Sequence, residues 1–371
     1  WVLVGQGGEV IRSTDDGVTW SDPIPHPVRV SADAGNTTIA TNGLGTWIAG
    51  IARDFPNRAG ITRSVDAGLT WQAPLFLNPV PPDPIQQSTA PQIVSLGGTS
   101  WLAVWSTQET LGGTLGADWD VVHSRSTDDG VTWTAPAPLS GTALTDGPND
   151  YDSGVQATTD GNGNVVVVWV STLDLGGIGT DQDILVVRSS DSGVSWSAPA
   201  PLNGNAASDT DEDIGPVVAT DGLGTWLAIW WHYGNGTETV DIAESTDAGA
   251  TWSAATTLYT NPRGAWAPFI AHGADQWLGA WMTSDPQGAL RTGSHLLVSL
   301  ADHPCGNGIV DGGETCDDGN RMPSDCCAST CTFEPAQSRC ARDADVCTFD
   351  RCNATGTCEH VLEPRLDCRP P

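Results

Sequence analysis

The sequence contains no lysine, and all 15 of its basic side chains other than histidine are arginine. Against 45 acidic residues, this gives a formal net charge of −30. Nucleic acids and anionic membranes attract basic surfaces, so the charge argues against both as partners. The composition fits a soluble exported protein or a protein that binds cations.

Cysteine is absent before Cys305, and no apolar run approaches the ~18 residues of a membrane span. All ten cysteines lie between Cys305 and Cys368. An even number in so short a segment predicts a disulfide framework and an oxidising compartment. We therefore expect an extracellular or cell-surface protein. Because Trp1 opens a strand-like segment without a signal peptide, we also expect that an N-terminal piece precedes it.

One motif, Ser-x-Asp-x-Gly-x-[Thr/Ser]-Trp, occurs five times. A short motif that returns every 51 to 63 residues is typical of propeller blades or of a solenoid. Its Asp and Ser side chains suit a hydrogen-bonded turn, its Gly suits a strained backbone, and its Trp closes the turn over an apolar layer. The aligned aspartates, to which we assign a structural role, are Asp15, Asp66, Asp128, Asp191 and Asp247.

The motif resembles the Asp-box, or BNR, repeat of the sialidase-like propellers, and the resemblance covers roughly residues 1–300. Most repeats can be divided into four strands. The first repeat lacks its first strand, and a sixth unit from Ala265 to about Leu300 has no Asp-box. We therefore predict an all-β, six-bladed β-propeller over residues 1–301, followed by a small disulfide-rich module over residues 302–371.

In such a blade, the Asp-box turn lies at one end and the loop between the second and third strands lies at the other. Long segments, such as residues 53–60, 171–181 and 232–239, fall at this second end. Functional loops concentrate where a rigid scaffold displays variable segments, so we expect any site to lie there.

Acidic residues are frequent at this second end. Asp209, Asp211 and Asp213 alternate like the opening ligands of a calcium-binding EF-hand loop. Ile214 and Thr220 stand where that loop needs a glycine and a carboxylate, so the segment is not an EF-hand. The alternatives are a solvated acidic rim and a Ca²⁺ site, and no cofactor is otherwise required.

Aromatic residues accompany the acidic ones. Aromatic rings beside carboxylates suit sugars, which present both an apolar face and hydroxyl groups. The alternative role for most of these rings is packing between blades. The predicted ligand-binding residues are Trp105, Trp169, Trp231, Tyr151, Asp152 and Asp213.

The family resemblance also implies a set of catalytic positions. Sialidases hold the substrate carboxylate with three arginines and use an Asp as acid/base and a Tyr nucleophile assisted by a Glu. This chain departs from the family after its first candidate arginine, where Val and Ser replace Ile and Pro. The implied positions are Arg29, Arg53, Arg263 and Arg291 for the arginines, Asp54 for the acid/base, Tyr151 or Tyr233 for the nucleophile, and Glu212 for its helper.

The segment from Cys305 to Phe333 resembles the Cys-rich repeat of secreted and surface proteins of myxobacteria, which implies a stalk, anchor or adhesion module. Three functions follow as hypotheses. The first is a secreted, non-catalytic propeller that binds a glycan or an extracellular protein. The second is an exo-α-sialidase-like glycoside hydrolase, and the third is a structural component of a surface assembly.

Overall fold

The structure is a computed structural model. It describes residues 1–4, 9–15, 17–25, 38–53, 58–78, 86–116, 118–139, 143, 147, 150–208, 210–234, 236–261, 265–273, 276–283, 295–302, 315–316, 325–328, 331–340 and 348–362. The chain forms two compact units, Trp1–Ile270 with Ala280–Leu297, and Ala271–Gly279 with Val298–Pro371. The described residues form no helix that is long and apolar enough to cross a membrane.

Six consecutive antiparallel sheets, numbered here as blades 1 to 6, confirm the predicted all-β propeller. The first three blades are blade 1 with β1 (Val2–Val4), β2 (Glu9–Arg12) and β3 (Ile24–Pro25), blade 2 with β4 (Thr38–Thr41), β5 (Trp47–Arg53), β6 (Arg58–Ser64) and β7 (Leu75–Phe76), and blade 3 with β8 (Gln92–Gly97), β9 (Ser100–Thr107), β10 (Asp120–Ser126) and β11 (Ala137–Pro138).

The remaining blades repeat this order of strands. Blade 6, like blade 1, has three strands, and it has no Asp-box. The strands are β12 (Ser153–Thr159), β13 (Val165–Ser171), β14 (Asp183–Ser189) and β15 (Ala200–Pro201) in blade 4, β16 (Glu212–Thr220), β17 (Trp226–Gly234), β18 (Thr237–Ser245) and β19 (Thr256–Asn261) in blade 5, and β20 (Ala265–His272), β21 (Gln276–Thr283) and β22 (His295–Asp302) in blade 6.

The hydrophobic core lies between successive blades. Separate clusters join blades 2 and 3, blades 3 and 4, and blades 4 and 5. A second strand is therefore covered on both faces, and all seven residues of β13, VVVVWVS, are buried. The first strands pack in sequence as well, β4 with β8, β8 with β12, and β12 with β16.

The Asp-box turn is held by its own side chains in all five copies. In blade 3, Ser126 Oγ donates to Asp128 Oδ1 at 2.8 Å and accepts the Gly130 N–H at 2.9 Å. The Thr132 N–H donates to Asp128 Oδ1 and the Thr132 hydroxyl donates to Oδ2, at 2.8 and 2.6 Å. Asp129 and Gly130 both have left-handed backbone, with φ of 62° and 80°. The motif thus fixes a turn that a free chain would resist.

Each Asp-box turn of blades 2 to 5 also lies against the second strand of the preceding blade. In blades 2, 3 and 5 the glycine provides the room for this approach, because a Cβ there would come within 2.8 Å of a side chain of that strand. In blade 4 a Cβ would lie 3.5 Å from Leu102, an ordinary contact distance. The pairs are Gly68 with Val2, Gly130 with Ile48, Gly193 with Leu102, and Gly249 with Val166.

The arginine that opens each of the first two motifs bonds to the next blade. Arg12 Nε donates to the Ala67 carbonyl at 2.6 Å, and Arg63 Nε donates to the Asp129 carbonyl at 2.5 Å. Arg63 Nη2 also lies 2.5 Å from Asp129 Oδ2. Blade 5 has Glu244 at the arginine position, and the blade that follows it has no Asp-box turn to receive a guanidinium.

The segment predicted as a long loop over residues 232–239 is mainly strand where it is described, and the described ends of the segment 53–60 belong to strands as well. β5 continues to Arg53 with β6 beginning at Arg58, and β17 continues to Gly234 with β18 beginning at Thr237. The prediction of a loop over residues 232–239 was therefore wrong. Tyr233, Thr237 and Thr239 in this segment favour a pleated strand, and all three pair across β17 and β18.

Disulfide bonds cross-link the Cys-rich part of the second unit. The described bridges are Cys316–Cys327, Cys326–Cys352 and Cys340–Cys358, and Cys331 is also disulfide-bonded. A hairpin of β23 (Thr348–Cys352) and β24 (Cys358–Leu362) carries two of these cysteines. The framework agrees with the disulfide-rich module expected from the sequence. The predicted domain boundary between residues 301 and 302 stays a prediction.

A matched pair of glycines tests the docking of the Asp-box turn. Gly249 (φ 79°) faces the buried Val166, whereas Gly161 (φ 73°) has nothing within 4 Å of its Cβ position. Gly161→Ala should cost about 1–2 kcal/mol for the left-handed backbone. Gly249→Ala should cost roughly 1–3 kcal/mol more, because a β-branched core side chain must move. Equal losses in urea unfolding would show that the turn does not pack on the preceding blade.

Acid should weaken the Asp-box. Hydrogen bonds from the Thr132 hydroxyl, the Thr132 N–H and Ser126 lower the pKa of Asp128 from 3.8 to about 2. A carboxyl with a lowered pKa in the folded state stabilises the fold above its unfolded pKa, and this contribution is lost as pH falls from about 4 to about 2. The difference in melting temperature between the wild type and Asp128→Asn should therefore be largest above pH 4 and shrink towards pH 2. A difference that stays constant between pH 4 and pH 2 would refute this origin.

Candidate functional site

Two equivalent junctions between blades bring aspartates together at the end of the blades opposite the Asp-boxes. Asp120 opens β10 and Asp183 opens β14, at equivalent positions before their Asp-boxes. Asp152 and Asp213 stand two residues before the left-handed glycines of the bulges in β12 and β16. All four side chains are buried, with exposures of 1%, 1%, 5% and 0% in that order.

The same backbone bond closes both junctions. The Asp152 N–H donates to the carbonyl of Trp119, the residue before Asp120, at 3.2 Å. The Asp213 N–H donates to the carbonyl of Gln182, the residue before Asp183, at 2.7 Å. The start of the first strand in blades 4 and 5 is thus fixed to the start of the third strand in the preceding blade, and each bond brings two aspartates close together.

Asn203 bridges the carboxylates at the junction of blades 4 and 5. Its Nδ2 donates to Asp183 Oδ1 at 2.8 Å and to Asp213 Oδ2 at 2.7 Å. Its Oδ1 accepts the Ile184 N–H at 3.0 Å, and the whole side chain is buried. One amide therefore supplies two donors to two buried carboxylates.

His232 completes this junction. Asp213 Oδ1 accepts the Trp230 indole N–H at 2.8 Å and lies 2.9 Å from His232 Nδ1. His232 Nε2 lies 3.7 Å from Asp211 Oδ2. The hydrogen bond to Asp213 raises the pKa of His232 to about 9. Burial opposes this shift, and the charges of Asp213, Asp241 and Asp211 add to it.

The junction of blades 3 and 4 carries a further buried acid, Asp118. Burial raises the pKa of Asp118, a backbone hydrogen bond lowers it, and the nearby Asp150 raises it further. Its Oδ2 is shielded from solvent without a hydrogen-bond partner. The two junctions therefore share a backbone plan but differ in the side chains they bury.

The aromatic residues divide into buried and exposed sets. Trp105 and Trp169 are 1% and 0% exposed, inside the clusters that join the blades, so their predicted contact with a ligand is corrected to packing. Tyr151 and Tyr233 are 40% and 49% exposed. Trp231 lies between these extremes. Both faces of a second strand are covered by neighbouring blades, which explains the buried pair.

Each exposed tyrosine forms an edge-to-face pair with a tryptophan. Trp119 and Tyr151 have ring centroids 6.1 Å apart, and Trp231 and Tyr233 have centroids 6.4 Å apart. Asp152 and Asp213, predicted to touch a ligand, are instead buried. Their predicted direct contact with a sugar is therefore corrected.

Cross-strand pairing surrounds Tyr233 with carboxylates. Glu212 on β16 is directly opposite Tyr233, and Glu238 on β18 is opposite it on the other side. Residues that pair in this way place their side chains on the same face of the sheet. We call Tyr233, Trp231, Glu212 and Glu238 the Tyr233 surface.

Several predicted site residues fall outside the described part of the chain. For Arg53 the structure describes the backbone, at the end of β5, and not the side chain. The proposed convergence of arginines thus stays a prediction. The other residues are Arg29, Asp54, Asp209, Arg263 and Arg291.

Sequence reasoning missed Asn203 and Asp241 and gave His232 no role. The alternating pattern of residues 226–245 was the available signal, since a hairpin there places Asp241 opposite Trp230 and on the same sheet face as His232. Asn203 could not be found in this way, because it contacts the next blade from an irregular segment.

Comparison with known proteins supports the fold. A family model described as a BNR repeat-like domain matches residues 3–211. A search of curated proteins finds no significant match. An ulvan lyase of polysaccharide lyase family PL25 is 9% identical with a TM-score of 0.53, covering 81% of this chain and 78% of its own. The α-L-arabinofuranosidase Arb93A from Fusarium graminearum is 13% identical with a TM-score of 0.50, covering 79% and 84%. At these identities the likeness concerns the fold alone.

Asn203 should be essential to the stability of its junction. Asn203→Ala removes both donors from two buried carboxylates, which should lower the free energy of unfolding by at least about 2 kcal/mol. Asn162→Ala, at an exposed turn of the same blade, is the matched control and should change it by under about 0.5 kcal/mol. Urea unfolding measures both, and similar small losses would contradict the bridging role.

Proposed function

The chain belongs to the BNR repeat-like family, and we propose that it is an exported propeller that binds a glycan without cleaving it, through the Tyr233 surface. The observation that carries this proposal is the half-exposed ring of Tyr233, with Trp231 edge-on and a glutamate opposite it on either side. The sialidase-like fold itself is related to glycoside hydrolases and polysaccharide lyases.

The chemistry of the Tyr233 surface suits a sugar. A pyranose or furanose ring stacks its C–H face on an aromatic side chain, while carboxylates accept hydrogen bonds from its hydroxyl groups. Tyr233 offers the ring, and Glu212 and Glu238 offer the acceptors on the same sheet face.

The charge of the surface favours a neutral or amino-bearing glycan. Glu212 and Glu238 flank the ring, and the chain carries a net charge of −30. A polysaccharide that carries carboxylates or sulfates would be repelled unless arginines or a cation compensated. Neutral oligosaccharides experience no such electrostatic repulsion.

The solved relatives and the disulfides support an extracellular carbohydrate partner. One of these structures is named as a polysaccharide lyase and the other as an α-L-arabinofuranosidase, so both names denote enzymes that act on carbohydrates. Disulfide bonds persist in oxidising compartments, and the described cysteines are all bonded. We therefore place this chain outside the cell, with the Cys-rich unit as its means of display.

Hydrolysis is the second candidate, and one observation favours it. Glu212 lies directly opposite Tyr233. The resemblance to sialidases implies such a pair, a tyrosine nucleophile with an adjacent glutamate that assists it. This candidate further needs the arginines whose side chains lie outside the described residues.

Two substitutions of Tyr233 separate the candidates. Tyr233→Ala should weaken binding of a neutral oligosaccharide at least about tenfold, since a stacked ring contributes about 1.4 kcal/mol or more. Tyr233→Phe keeps the ring and should bind within about threefold of the wild type. A panel of neutral, amino-bearing, uronate-bearing and sialylated oligosaccharides is first screened for binding. Titration calorimetry then measures the affinity of each variant for the oligosaccharides that bind.

The control is Val194→Ala, which removes an exposed apolar side chain at the Asp-box end and should leave binding unchanged. Failure of every oligosaccharide to bind, or equal binding by Tyr233→Ala, would overturn the proposal. Turnover of a fluorogenic sialoside that Tyr233→Phe abolishes would replace it with the second candidate.

A further inference from the structure

Three potential metal ligands meet at the junction of blades 4 and 5. Asp213 on β16 pairs with His232 on β17, and Asp241 on β18 pairs with Trp230, two residues before His232. Residues two apart on a strand share a face, so all three ligands point to the same side of the sheet. One ligand atom from each lies within 4.8 Å of those of the other two.

The three groups differ in kind and in how they are held. Asp213 is fully buried and fixed by the Asn203 amide at 2.7 Å and the Trp230 indole at 2.8 Å. Donors of this type orient a carboxylate before a metal arrives. His232 adds a nitrogen ligand, which sets this site apart from a simple acidic cluster.

Asp241 supplies an independent observation. Its Oδ1 is shielded from solvent and has no hydrogen-bond partner. A shielded carboxylate oxygen without a donor is unfavourable, since desolvation is not offset by any bond. A cation held between Asp241, His232 and Asp213 would satisfy that oxygen.

The charge balance of the junction points the same way. Asp183 shares the Asn203 amide with Asp213, and Asp211 lies 3.7 Å from His232. Together with Asp241, four carboxylates thus lie at this junction around one imidazole, and two of them, Asp183 and Asp213, are buried. A bound cation compensates such a concentration of negative charge.

We infer that Asp213, His232 and Asp241 bind a divalent transition-metal ion, of the zinc or manganese class. Imidazole with carboxylates is a ligand set that these ions favour, at about 2.0–2.2 Å for zinc. Ca²⁺ instead takes six to eight oxygen ligands. Three protein ligands leave a coordination position for water. Asp211, one of the candidate Ca²⁺ ligands in the sequence, lies beside this site, 3.7 Å from His232 Nε2.

The metal site and the Tyr233 surface lie on opposite faces of one sheet. His232 and Tyr233 are consecutive in β17, so their side chains point to opposite sides. The metal site therefore does not depend on the proposed glycan binding. A substitution that abolishes metal binding can therefore leave glycan binding intact, and the reverse also holds.

Metal content and a cobalt spectrum test this inference. The full chain is stripped with a chelator, dialysed against Zn²⁺ and analysed by elemental mass spectrometry. It should retain one ion per chain that Asp241→Asn and His232→Gln do not retain. Co²⁺ in place of Zn²⁺ should give visible d–d absorption that is lost in both variants.

The matched control is Glu244→Gln, an exposed carboxylate on the same strand as Asp241, which should bind Zn²⁺ like the wild type. Zinc affinity in Asp241→Asn should fall at least about tenfold, with the far-ultraviolet circular dichroism unchanged. If His232→Gln fails to fold, the zinc content of Asp241→Asn and the cobalt spectrum of the wild type still test whether the metal binds at this site. Equal zinc uptake by the wild type and Asp241→Asn, or uptake of Ca²⁺ in preference to Zn²⁺, would overturn the inference.

Discussion

The fold depends on the contact that the Asp-box turns of blades 2 to 5 make with the blade before them. Hydrogen bonds within the motif force two consecutive residues into left-handed backbone, and this conformation brings the motif glycine against the preceding second strand. Asp129 shows how far the contact extends, since its carboxylate also accepts the Thr46 hydroxyl of blade 2 at 2.7 Å. The turn thus serves both its own hairpin and the junction between blades.

A contact that repeats at one end of the blades leaves the other end free to vary. The junctions at that second end share backbone bonds, from the first strand of one blade to the third strand of the blade before. Their side chains differ. The equivalent of Asp120 and Asp183 in blade 2 is Arg58, which bonds to the Asn78 carbonyl at 3.2 Å and stacks on Phe76. One scaffold can therefore hold different chemistry at each junction.

The parts of this structure that repeat were predictable from the sequence. Five copies of one motif predicted five Asp-box hairpins, and the long segment predicted at residues 171–181 does connect the second and third strands of blade 4. Residues whose role occurs at only one place in the fold were harder to predict. Trp105 and Trp169 were expected to contact a ligand, because a strand read alone does not show that neighbouring blades cover both its faces. The ligand set of Asp213, His232 and Asp241 needs the register of three strands, which spacing alone does not give.

A double-mutant cycle between Arg63 and Asp129 tests most directly that the Asp-box holds neighbouring blades together. The two side chains come from blades 2 and 3, and their charged atoms lie 2.5 Å apart with little exposure to solvent. Urea unfolding of Arg63→Ala, Asp129→Ala and the double variant should give a coupling energy of at least about 1 kcal/mol. Strictly additive losses would contradict the account, since the motif would then stabilise only its own hairpin.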